Sequence, residues 1–129
     1  MPLKTPVQIT FRHMDASEPL SELIRREVAK LEELDDHMIE CRVVVEEPAA
    51  HHHRGKHFRV EVIVAVKGSE LVAGRDPPEA FGEDAYQVVR DSFHAIRRQL
   101  HDYQQRSRNE VKHHSLPADP PPGREPSRP

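Results

Sequence analysis

Arg90, His94, Arg97, His101 and Arg108 recur at helical spacing toward the end of the chain. At about 100° per residue they fall in one narrow arc. Ala85, Val88, Val89, Ser92, Ile96, Leu100 and Tyr103 fall on a different side, with Phe93 at its edge. One helix would thus carry a core face and a separate face of guanidinium and imidazole groups, the chemistry that binds phosphate oxygens. Asp91 and Asp102 lie off the centre of the arc and no acid lies inside it, while Arg98, Gln104 and Gln105 flank it with further donors suited to phosphate and ribose. The competing reading is a solvated helix face that does nothing but keep the protein in solution.

A second run, His51, His52, His53 and His57 with Arg54 and Lys56, contains imidazoles that zinc, nickel or copper would accept. Consecutive histidines in a loop lack the rigid convergence of a built metal site, so contact with a polyanion is the preferred reading of this loop. His51, His52, His53 and His57 remain the weak metal candidates, and no metal or cofactor is expected. Arg26 and Lys30, four apart, would add a small basic spot on an earlier helix; the alternative is ion pairing with Glu22 and Glu33.

Catalytic signatures are missing. The chain has no glycine-rich phosphate loop, no GxSxG elbow and no HExxH pair, and its lone Cys41 sits on the core side of a strand pattern. No enzyme is expected. The aromatic residues, four Phe and two Tyr with no Trp, fall mostly at core positions, which argues against base stacking on a sheet and leaves recognition of backbone and shape.

The elements that must position these groups follow from periodicity. Val7, Ile9 and Phe11 alternate with polar residues as a strand. Ser17 and Pro19 open a helix whose face Leu20, Leu23, Ile24, Val28, Leu31 and Leu34 runs to about Asp35. Cys41, Val43 and Val45 mark a second strand, and Phe58, Val60, Val62, Val64 and Val66 a third. The Lys67–Gly68–Ser69 reversal leads to a fourth over 70–75, and a long helix runs over 83–106. The order β-α-β-β-β-α gives an α+β fold: a four-stranded mixed sheet, the first two strands parallel through a right-handed crossover, with both helices on one face. The other face, with Gln8, Thr10, Arg12, Arg42, Val44, Arg59, Glu61, Ile63 and Val72, is too mixed for a second core.

With 129 residues the chain suits one domain, expected over 5–114, followed by a tail over 115–129 that holds half of the twelve prolines and is expected to be disordered. A formal charge of -3 excludes a protein that coats nucleic acid indiscriminately, so any RNA contact must be local. One cysteine allows no internal disulfide. No secretion signal and no apolar run of about 20 residues is present, so a soluble cytoplasmic protein is expected.

VQITFRHMD, the helix end AKLEEL, CRVVVEEP, HHHRGKHFRVEV, GSELVAGRDP and AYQVVRDSFHAIRRQLHDYQQRSRNEVKHH together resemble the ribosome hibernation-promoting factors, also called ribosome-associated inhibitors or sigma-54 modulation proteins. The resemblance runs from about Val7 to His114. It implies a β-α-β-β-β-α domain similar to double-stranded RNA-binding domains, occupying the messenger and transfer RNA channel of the small ribosomal subunit and silencing translation under stress. It also implies ribosomal RNA contacts at Lys30, Arg90, Arg97, Arg98 and Lys112. Long members add a C-terminal domain that pairs two ribosomes; the short, proline-rich tail here gives no expectation of that. The first helix is more acidic than a typical member's. A stress-regulatory protein-interaction module is the alternative function; no DNA or membrane partner is expected, and the residues leave self-association open.

Overall fold

The computed structural model describes residues 3–35, 37–48, 57–74 and 81–115. Its elements are β1 (Val7–Arg12), α1 (Glu18–Leu34), β2 (Glu40–Glu46), β3 (Phe58–Val66), β4 (Ser69–Ala73), β5 (Phe81–Gly82) and α2 (Ala85–Ser115). The chain divides into two compact units, 1–99 and 100–129, with the residues of α2 shared between them.

In the first unit, α1 begins where Ser17 supplies its cap, its hydroxyl accepting from the Leu20 amide at 3.3 Å, with proline in the first turn. The chain returns to pair β2 parallel to β1, Val7 opposite Cys41 through Arg12 opposite Glu46. A parallel neighbour requires a crossover, and α1 is that crossover. β3 runs antiparallel to β2, with Val43 opposite Val62, and β4 runs antiparallel to β3 after the two-residue Lys67–Gly68 reversal. The α+β order read from the sequence therefore stands.

The core lies between the helices and one sheet face. Cys41, Val43, Val45, Val60, Val62 and Val64 are fully buried there with Ile24, Val28 and Leu31 of α1 and Val89, Phe93 and Ile96 of α2. Two polar side chains fasten α2 to the sheet: the buried Ser92 hydroxyl donates to the Val60 carbonyl at 3.3 Å, and Gln99 donates to the Val72 carbonyl at 2.7 Å. The segment ahead of β1 is held by α1, whose Glu32 carboxylate accepts the Thr5 amide at 2.6 Å.

On the other sheet face, Arg42 reaches Glu70 at 3.2 Å across the intervening strand β3 and also lies 3.9 Å from Glu40. Ile63, which lies opposite Arg42 on this face, is only 7% exposed.

The four-stranded mixed sheet is extended by a two-residue strand, β5, which pairs with Phe58 and Arg59 on the edge of β3 that β4 also uses. Several element bounds need correction. β4 ends at Ala73 instead of 75 because Gly74 turns the chain at φ +87°. Leu34, assigned to the apolar face of α1, is 50% exposed, being the last helical residue before Asp35 leaves in an extended conformation. α2 starts at Ala85 instead of 83, because Asp84 is its cap: its carboxylate accepts the amides of Tyr86 at 3.0 Å and Gln87 at 3.4 Å. The helix then continues nine residues past 106 to Ser115, a stretch with no glycine or proline to stop it. Ser115, assigned to the tail, thus ends the helix. The expected disorder of the tail concerns 116–129, outside the described residues.

Candidate nucleic-acid interface

In the first unit, α2 buries Val88, Val89, Ser92, Phe93 and Ile96, and the turn geometry then carries Arg90, His94 and Arg98 outward, all exposed. Among the described residues no carboxylate lies within ion-pair distance of these three. Arg97 differs. Its guanidinium lies 3.6 Å from Oε1 of Glu27 on α1, and its side chain is 38% exposed. Lys30, one turn further along α1, holds the other oxygen of the same carboxylate at 3.0 Å. Two of the cations expected to meet RNA therefore share one counter-ion, and Lys30 pairs with Glu27 where sequence reasoning had weighed Glu22 and Glu33. Arg26 is exposed on the same helix.

Glu27 was missed although the sequence carried a sign of it. On a helical wheel it falls within the apolar stripe formed by Leu20, Leu23, Ile24 and Leu31, and a charge there has to be buried with a partner. Tyr86 was also missed. It is 39% exposed one turn before Arg90, on the cationic side of the helix.

In the second unit, His101 and Arg108 are exposed and Leu100 is fully buried. Lys112 lies on the helix, and its side chain is outside the described residues.

Of the histidine run, His51, His52 and His53 lie outside the described residues. His57 is half-buried at the start of β3, with its Nε2 at 4.0 Å from Glu83. Among the described residues no group of three or more metal-binding side chains converges. Cys41 is fully buried and its thiol is pushed up to about 12, first by burial and then by the negative charge of Glu40. It is a packing residue and a poor nucleophile at neutral pH.

What this geometry offers is a set of outward cations on the outer side of a helix pair packed on a sheet, in a chain that is acidic overall. The family model described as sigma 54 modulation protein / S30EA ribosomal protein matches residues 7–108, from the first strand to the last described side chain of α2. The chain belongs to this family. The sigma 54 modulation / S30EA fold is also found in a ribosomal subunit interface protein from Coxiella burnetii, with a TM-score of 0.65 at 21% identity over 78% of this chain and 99% of that one. The N-terminal domain of Protein Y from Thermus thermophilus is similar at a TM-score of 0.58 and 16% identity, over 77% of this chain and 98% of that one. At such identities the likeness establishes the fold. A comparison with curated protein sequences gives no match.

Proposed function

We propose that the protein is a ribosome-associated hibernation factor that occupies the messenger and transfer RNA channel of the small subunit, held by contacts to the ribosomal RNA backbone. The observation that carries this reading is the row Arg90, His94 and Arg98, exposed and without an ion-pair partner among the described residues, in a chain that belongs to the S30EA family. Arginines without internal counter-ions neutralise phosphates and so displace the salt ions condensed on the RNA, whereas paired ones are already partly neutralised and contribute less. Arg97, Lys30 and Arg26 would extend the contact on the first unit. His101, Arg108 and Lys112 would do so on the second.

The action is occupancy, with no bond made or broken. Among the described residues no helix is long and apolar enough to cross a membrane. Work on ribosomes would place the protein in the cytoplasm.

The test is sedimentation with purified small subunits, large subunits and intact ribosomes at low and moderate salt. Co-migration with small subunits and intact ribosomes is expected, declining as salt rises. The double variant Arg90→Glu, Arg98→Glu should lose this co-migration while keeping the thermal melt of the parent. Undiminished binding in that variant would refute the role of the row. Binding that survives ribonuclease and ignores salt would favour the protein-interaction module instead.

A further inference from the structure

Glu27 is a carboxylate with a side-chain exposure of only 6%, yet it sits at the inner edge of the cationic surface. It holds Lys30 Nζ on Oε2 at 3.0 Å and Arg97 Nη2 on Oε1 at 3.6 Å, so the two cations stand side by side, one from each helix. A buried carboxylate stripped of its cations would be left uncompensated, which keeps both side chains on it. Neither cation is used up. An ammonium has three donors and a guanidinium five, and Lys30 and Arg97 remain 58% and 38% exposed on their outer sides. Free in solution, such long side chains spread over many rotamers; here a single internal group fixes their spacing.

We propose that Glu27 is a specificity-determining positioning residue, which locks Lys30 and Arg97 into a two-pronged seat for one RNA phosphate and offsets their charge so that phosphates presented elsewhere gain little. This rests on the ribosomal RNA reading above and goes beyond it. Two unanchored cations would favour any polyanion. The anchored arrangement lowers attraction to RNA in general, through the negative charge behind the seat, and retains attraction for a phosphate delivered at the right place by the rest of the docked surface.

The discriminating variant is Glu27→Gln, which keeps the shape and removes the charge. Its affinity for a generic RNA duplex should rise severalfold, with a salt dependence steeper by about one counterion. Small-subunit affinity should fail to follow, so that the preference for small subunits over duplex falls by the same severalfold. A preference equal to that of the parent would overturn the proposal, because Glu27 would then be a plain counter-ion. Should the variant not fold, as judged by its melt, a cycle of Lys30→Ala, Arg97→Ala and the double variant decides the matter. Cations sharing one anchor should give small-subunit binding losses that are far from additive, whereas additive losses would overturn the seat. Failure of the unmodified protein to bind small subunits would count against the hibernation reading itself, a result separable from either outcome in the variants.

Discussion

A thiol enclosed by valines keeps its proton long after a solvated one has lost it. Cys41 is fully buried and its pKa stands at about 12 against an ordinary 9.0, so above that ordinary value the unfolded chain gives up a proton that the folded chain retains. Fewer protons bound in the unfolded state means stability that falls with rising pH, by at most about 1.4 kcal/mol per pH unit for one group. The contribution is constant below roughly pH 9 and declines from there toward the folded value. Thermal melts should show this decline, and Cys41→Val, similar in bulk and without the proton, should lose that part of it. Equal alkaline slopes in the two proteins would contradict the assignment. Glu27 is the complementary case of a buried acid whose two oxygens each meet a cation, Lys30 and Arg97. Its pairing with Lys30, three residues on, lay within reach of helical spacing. The contact with Arg97 did not, since it depends on how α1 and α2 lie on the same sheet face, a relation between residues 70 positions apart that periodicity does not encode.

Among the elements, the hairpin of β3 and β4 ends at a position that tolerates one residue type. Gly74 has φ +87°, and a Cβ there would fall onto the Val60 carbonyl oxygen, which is backbone of the central strand and already accepts from Ser92. Gly74→Ala should therefore destabilise the fold by roughly 2–4 kcal/mol, the range for strain and overpacking combined. Gly68→Ala has the same left-handed backbone, φ +76°, with open space around it, and should cost less, about 1 kcal/mol. Chemical denaturation of both variants measures the difference, and equal losses would mean that the carbonyl contact adds nothing. The strands and α1 were legible because their apolar residues repeat with periods of two and of 3.6, and Ser17 marks a start. β5 was not, since two residues carry no period. The end of α2 was misplaced because the apolar pattern stops before the helix does: past 106, arginine, glutamate and lysine favour a helix while supplying no apolar period to read.

For the whole molecule, charge and fold answer different questions. A formal charge of -3 predicts weak attraction to nucleic acid, and the architecture overrides this locally by keeping Arg90, His94 and Arg98 outward while many acids pair elsewhere, as Glu18 does with Arg25 at 3.5 Å and Glu70 with Arg42. Such a protein would dock where its cationic side meets phosphates and be repelled in other orientations, so orientation is selected during approach. The chain has no tryptophan and two tyrosines, and one of them, Tyr86, stands exposed a single turn before Arg90. The molecule therefore carries its own light-emitting reporter at the edge of the proposed contact. Tyrosine emission should drop as an RNA oligonucleotide is titrated in, most of the drop should vanish in Tyr86→Leu, and docking could be timed in stopped flow with no dye attached.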